Sequence, residues 1–481
     1  MASPGENRPG KGQKTDGEVI RIRTNFKKKH LFVLLIPFLA LQACAVYRPK
    51  PLGERQVAQA LAPPNLESIR IKAGEIKHPI LKPRHIDFKE GISAEDAAVI
   101  AVIANPVLRA ERDRRGIARA QLLEAGILPN PVFGYSLDFP TGGSDQGTVN
   151  AYGLGLDWDI KSLLTRSARV SAARAAAAQV DLGVAWEEWQ VAEYAKLAVY
   201  RSIILRKELR VAQAEERELR KNLEAIKKAV AEGNMTVVDL EAVQATVRAT
   251  HGTVLDIRQR LEQERLGLDR TLGFPPSSRI LLEKDAAFPA PKTLPALEDI
   301  MRGLEKRRLD LLALRQGYLS REASLRAAVR ARFPDIGIGF SHARDTTNVI
   351  TTGFSVSISL PFFDRNQGVI AIEKASRRQL YDEYLGRVFE ARADAAGILA
   401  NIGAARARAL AALKAVQSQE KLVHVSYDGY LEGNIDALSY YNEVDKLTSA
   451  RLDVLKLEQD LAGLYVALEI TAGEYIGTAS Q

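Results

Sequence analysis

Two segments of this chain run for more than sixty residues without a proline, Leu163 to Glu232 and Gln367 to Glu432. Both are rich in alanine and in charge. At ~1.5 Å per residue the first reaches about 100 Å as a helix. Helices of that length must lie against one another as a coiled assembly. Small residues such as Ala168, Ala172, Ala173 and Ala175 to Ala178 let backbones approach closely. Each run stops at Gly-Asn, the two residues best suited to a left-handed helix C-cap: Gly233-Asn234 and Gly433-Asn434. Beyond each break the chain must turn back, which predicts two long helical hairpins.

The doubling extends further. AGILPNPVFGYSLDF at residues 125–139 matches RARFPDIGIGFSHAR at 330–344, with Pro129 against Pro334, Gly134 against Gly339 and Ser136 against Ser341. AEGN at 231–234 answers LEGN at 431–434 at a slightly smaller offset. Each half reads as helix, strand, turn, strand, long helix, Gly-Asn break, helix. The expected organisation is a signal peptide over 1–43 and an extended, proline-rich segment over 44–92. A first repeat over 93–273 and a second over 296–481 flank a proline-rich linker, 274–295. Ser93 followed by Ala-Glu-Asp marks a helix start.

The strands alternate with period two, which sends the two residue sets to opposite faces. Phe133, Tyr135, Leu137 and Phe139 alternate with Gly134, Ser136 and Asp138. Tyr152, Leu154, Leu156, Trp158 and Ile160 alternate with Gly153, Gly155, Asp157 and Asp159. Ile336, Ile338 and Phe340 oppose Gly337, Gly339 and Ser341, while Phe354, Val356, Ile358 and Leu360 oppose Ser355, Ser357 and Ser359. A sandwich strand alternates too. Here, however, the second face is Gly, Ser and Asp throughout, as in a membrane strand with a wet interior. Lengths of roughly 9 to 11 residues suit a tilted spanning strand, and TGGSDQGT and ARDTTN are polar enough for external loops.

Four such strands cannot close a barrel, since closed outer-membrane barrels begin at about 8 strands. An open edge in lipid is prohibitively costly. Two copies would make a barrel filled by its own side chains. Three copies supply twelve strands and leave a lumen lined by Gly134, Ser136, Gly153, Gly155, Ser355, Ser357 and Ser359. The expected fold class is therefore an α+β membrane protein of two tandem repeats. Its four transmembrane strands join a trimeric 12-stranded barrel, continued by a long helical tunnel.

The N-terminus carries the layout of a secretory signal: Lys27, Lys28 and Lys29, then an apolar run from Leu31 to Ala40 too short to span a bilayer. The run ends in Leu41-Gln42-Ala43-Cys44, and Cys44 is the chain's single cysteine. This resembles the bacterial lipobox, which implies diacylglycerol on the Cys44 sulfur after cleavage. Ala45, not an aspartate, follows, and resemblance to lipoprotein sorting then implies the outer membrane. Five of the eight net positive charges sit in residues 1–43, so the rest carries about +3 and gives no case for nucleic acid as a partner.

The chain is similar to the TolC-like outer-membrane factor family over nearly all of its mature length. The doubled architecture, LPNP at 128–131 and SLPFFDRNQG at 359–368 carry the resemblance, and the last motif looks most like the heavy-metal efflux, CzcC-like branch. The resemblance implies a homotrimeric exit duct in the outer-membrane lipid. Its partners would be a periplasmic adaptor (membrane fusion) protein and an inner-membrane pump of the resistance-nodulation-division type. It also implies that the hairpin ends form the gate and the adaptor contact: Gly233, Asn234, Met235, Thr236 and Asp239 on one, Gly433, Asn434, Ile435, Asp436, Ser439 and Asn442 on the other. Asp239 falls where relatives carry a tip aspartate. Ser439 and Asn442 stand where some relatives place cation-binding aspartate rings, with Asp436 nearby as a partial substitute.

Enzymatic chemistry has little support. GLGLD at 153–157 and GIGF at 337–340 lack the third glycine of a nucleotide loop and sit in alternating strands. No two of the six histidines have ligand spacing, so no metal site or cofactor is expected. The expected cargo is heavy-metal cations, the alternative drugs, toxins or secreted protein. The rival from another class is a periplasmic coiled-coil scaffold lipoprotein, which explains Cys44 and the helices but not the strands.

Overall fold

The structure is a computed structural model that describes residues 47–143, 147–284, 291 and 293–476. The expected signal peptide and Cys44 lie outside the described residues. Residues 1–61 form one unit, whose described residues include helix α1 (Glu54–Ala60), and residues 62–481 form the other. The segment expected to be extended therefore holds two helices, α1 and α2 (Leu66–Gly74). Asn65 caps α2 by accepting from the Ser68 amide at 3.0 Å. The prolines at 49, 51, 63, 64, 79 and 83 all lie outside these helices, where their missing N–H does no harm.

Within the larger unit, α3 (Ala94–Ala104) opens on a capping box between Ser93 and Asp96, the predicted helix start. Asn105 then caps α4 (Pro106–Gly126), with Pro106 at its first position. Strands β1 (Val132–Asp138) and β2 (Ala151–Asp159) lead into the 71-residue α5 (Lys161–Ala231) and its return helix α6 (Val237–Leu272). The second half begins with two short helices, α7 (Leu297–Met301) and α8 (Leu304–Arg307), and then α9 (Leu309–Arg330). Strands β3 (Ile336–Arg344) and β4 (Ile350–Ile358) feed the 65-residue α10 (Gln367–Leu431), which returns as α11 (Ala437–Ala472).

The return helices are the same 36 residues long. Both end on a left-handed glycine, Gly273 at φ 74° and Gly473 at φ 70°. No helix of the described residues is long and apolar enough to cross a membrane. The four strands form one antiparallel sheet in sequence order, β1-β2-β3-β4.

The main apolar core gathers Ile100 of α3, Val199 and Ile203 of α5, Leu268 and Leu272 of α6 and Val466 of α11. Trp186 and Trp189 of α5 anchor a second cluster with Leu108 and Leu309. An ionic group is buried between the hairpins: Lys196 Nζ lies 3.1 Å from Glu193 Oε2 and in contact with the Glu469 carboxylate. Burial pushes Glu193 well above the ordinary carboxylate range, against the opposing pull of Lys196.

Candidate functional site

Two places carry the residues singled out in the sequence: the four-stranded sheet and the turns of the two helical hairpins. In the sheet the pairing aligns small polar residues across strands. One row holds Gly134, Gly155, Ser341 and Gly353, and another Asp157, Gly339 and Ser355, with the apolar Val132 at its β1 end. The opposite face carries rows such as Phe133, Leu156, Phe340 and Phe354.

Three glycines of the small face, Gly153, Gly337 and Gly339, leave room for side chains on the neighbouring strand. A Cβ at Gly153 would lie 2.6 Å from Ser136 Oγ, and one at Gly337 2.5 Å from Ser357 Oγ. At Gly339 it would meet Asp157 Oδ1 at 2.5 Å. Serine on one strand thus fills the space that glycine leaves on its neighbour, a complementarity that single-strand alternation does not reveal. Ser359 sits one residue past β4. Its hydroxyl accepts from the Asp335 amide and donates to the Asp335 carboxylate, both at 3.1 Å, closing the helix-proximal end of β3–β4. At the other end Asp345 Oδ1 accepts from the Thr347 and Val349 amides, each at 2.9 Å, and Asn348 takes φ 68°. The predicted ARDTTN loop is a tight, self-bonded turn.

All seven residues of β1 and all nine of β4 are exposed in the single chain. Neither face of these outer strands is covered, and each leaves a row of unpaired backbone groups along the sheet edge. The face with small residues carries Asp138, Asp157 and Asp159 and no cation within the strands.

The hairpin turns are built alike. Gly233 and Gly433 adopt φ 76° and 75°. The Asn234 amide donates to Ala229 O and the Gly233 amide to Val230 O; Asn434 and Gly433 repeat this with Gly429 and Tyr430. This pair of bonds satisfies carbonyls that the helix end would orphan. The Asn234 and Asn434 side chains donate to Glu232 and Glu432, at 3.3 and 3.0 Å.

The return helices open on caps of reversed chemistry, a reciprocal capping box in the first and a single N-cap aspartate in the second. In the first, the Asp239 amide donates to Thr236 Oγ1 at 3.2 Å, and the Asp239 carboxylate accepts from the Thr236 hydroxyl at 2.7 Å and amide at 3.0 Å. In the second, Asp436 accepts from the Ser439 amide at 2.7 Å and hydroxyl at 3.0 Å. These bonds hold the Asp436 carboxyl below its ordinary value. Both carboxylates thus serve helix caps, half-buried for Asp239 and exposed for Asp436. Asn442 and Ser439 are exposed on α11, while Met235 and Ile435 are half-buried. Ile435 packs over Gly429, where a Cβ would meet its side chain at 2.9 Å.

A tyrosine cluster beside the second turn escaped the sequence reading. Tyr430 stacks on Tyr440 at 5.4 Å, and Tyr440 also touches Tyr427 and Tyr441. The Tyr430 hydroxyl reaches Met235 Sδ at 3.8 Å, and the cluster continues into Ile226, Val243 and Val247, joining the two turns. The signal was available: Lys227, Val230, Leu240 and Glu241 of the first half stand where the second has tyrosines. Among the described residues no group of three His, Cys, Asp or Glu side chains could hold a metal ion.

This arrangement of strand hairpins and helical hairpins has known counterparts. Residues 301–474 match the outer membrane efflux protein family. The solved outer-membrane channel OprN aligns at TM-score 0.67 and 17% identity, covering 89% of this chain and 99% of that one. The fold is that of this solved outer-membrane channel. The outer membrane protein VceC of Vibrio cholerae aligns at TM-score 0.66 and 18% identity, over 79% of this chain and 96% of that one. In sequence, the chain is 24% identical over 339 residues to the cobalt-zinc-cadmium resistance protein CzcC of Cupriavidus metallidurans, covering 70% of this chain and 77% of that protein.

Proposed function

We propose that three copies of this chain form an exit duct in the outer membrane, through which cargo passes without chemistry on the duct itself. The observation that carries this reading is the four-stranded sheet, open at both edges and with its two outer strands exposed on both faces, with Gly, Ser and Asp on one side and aromatic and aliphatic residues on the other. In lipid such edges must be paired, and identical copies pair them with the same geometry. The small polar face then lines the lumen and the apolar face meets lipid. The long helices continue the passage into the periplasm, with the Cys44 sulfur lipidated at the membrane.

Cargo of positive charge fits the Asp138, Asp157 and Asp159 positions, repeated in each copy. Divalent metal cations are the proposed class, supported by the likeness to a cobalt-zinc-cadmium resistance protein. The turns of the helical hairpins would be both the gate and the docking end for a periplasmic adaptor, itself coupled to an inner-membrane pump. Val237, Val238, Leu431 and Leu438 are exposed there and supply apolar surface for that contact.

The test is conduction by purified protein in planar bilayers. The duct predicts discrete, cation-selective channels. Ser357→Arg should lower single-channel conductance, and Asp157→Asn with Asp159→Asn should weaken cation selectivity. A preparation that inserts but never conducts would favour the scaffold instead. Cys44→Ser should abolish incorporation of labelled palmitate, and retained label would contradict the anchor.

A further inference from the structure

A groove of about 550 Å³ lies where the β3–β4 hairpin meets α9 and α10, lined by Arg332, Phe363, Arg365, Ile370 and Lys374. Arg332 and Phe333 directly precede β3, and Phe362 to Arg365 directly follow β4. The two stretches are held together by the Ser359 amide donating to Asp335 O at 3.0 Å. None of the three cations forms an ion pair among the described residues. The Arg365 side chain donates only to Pro361 O at 3.3 Å. The nearby acids are otherwise engaged: Asp335 with Lys161, Asp364 with the Asn366 amide, Glu373 with Arg321. Around these charges the chain exposes Phe333, Phe362 and Phe363, the last at 95%. They continue the exposed apolar ladder of Phe354, Val356, Ile358 and Leu360.

We propose that this groove binds the headgroup of an anionic phospholipid at the helix-proximal edge of the membrane. The phosphodiester would sit among Arg332, Arg365 and Lys374, and the acyl chains would run along the β4 apolar ladder. Unpaired cations beside exposed aromatic rings at the end of spanning strands match an interface where phosphate meets hydrocarbon. Free phosphate would satisfy the cations but leave the aromatic rings bare, so the lipid is the better occupant. The inference rests on the strands lying in a bilayer.

The test is native mass spectrometry of the full-length protein after delipidation, titrated with phosphatidylglycerol or with phosphatidylethanolamine. The expected result is preferential retention of phosphatidylglycerol. The combined variant Arg332→Gln, Arg365→Gln, Lys374→Gln should reduce that retention on the order of a hundred-fold, each cation near an anionic surface contributing comparably. A control replacing the distant, exposed Lys228, Arg408 and Lys421 with glutamine should retain the lipid as the parent does. The charge-keeping pair Arg332→Lys, Arg365→Lys should retain most of it, which separates charge loss from misfolding. Equal retention of both lipids by the parent, equal loss in the control, or full displacement by inorganic phosphate would overturn the proposal. A protein that conducts in bilayers yet shows no lipid preference would overturn this site alone and leave the duct standing.

Discussion

The two long helices occupy the same place in their repeats and differ little in length, 71 residues for α5 and 65 for α10, yet they are buried very differently. Twenty-four residues of α5 are buried, among them Trp186, Trp189, Tyr200 and Ile203. On α10 only Ala391, Ala395, Ile402, Ala405 and Ser426 are. α10 instead exposes Ile372, Leu385, Phe389, Leu410 and Val425 along its length. A helix carrying that much apolar surface has not finished packing within its own chain. The duplication has thus yielded one helix that anchors the chain's core and one that awaits a neighbour. The open sheet edges make the same statement in strands.

The largest expected effects test the buried side of this contrast. Trp189 is fully buried, and Trp189→Ala should cost about 3–5 kcal/mol. At Phe389, 75% exposed in the single chain, Phe389→Asp should leave helix content intact and lower the trimeric fraction seen by size-exclusion chromatography. If Phe389→Asp instead unfolded the chain, the contrast between the helices would break. Lys196→Met should be comparably damaging, about 3–5 kcal/mol, because it strands two carboxylates of opposite hairpins in a buried place. Thermal melting followed by circular dichroism measures both.

A smaller effect is expected at the turns. Gly433→Ala forces a β-carbon into the left-handed region at φ 75° and should cost about 1–2 kcal/mol. Gly233→Ala should cost about the same, since the two turns share one hydrogen-bond pattern. Unequal losses would show that the tyrosine cluster beside the second turn compensates.

The smallest is a change of slope. Glu193 has its folded-state pKa raised by burial, so its contribution to stability is full below the unfolded pKa and fades as pH rises through the folded one. Glu193→Gln should flatten melting temperature against pH above the ordinary carboxylate range. At low pH it should match the parent. An unchanged slope would place the titrating proton elsewhere.

Much of the fold was legible because it is written in local chemistry. Prolines stay out of the long helices, Gly-Asn marks both turns, and alternation over seven to nine residues marks the strands. The helices at 54–60 and 66–74 were hidden because proline density suggested extended chain, while the prolines in fact lie only outside them. Side-chain roles at the turns were less accessible. Thr236 and Asp239 fit a capping pattern in sequence, yet only the hydrogen bonds show that the Asp239 carboxylate is spent on its own helix. Tyr427, Tyr430, Tyr440 and Tyr441 converge across a hairpin, which spacing along one helix does not display. The serine-into-glycine fit of the sheet depends on register between strands and could not be read from any one of them.

Counting chains in the folded particle bears most directly on the whole scheme, because a four-stranded sheet with two open edges has no stable place in lipid alone. Native mass spectrometry of the protein extracted from outer membranes in mild detergent should give three chains per particle. A particle of one chain that keeps its strand signature by circular dichroism would contradict it.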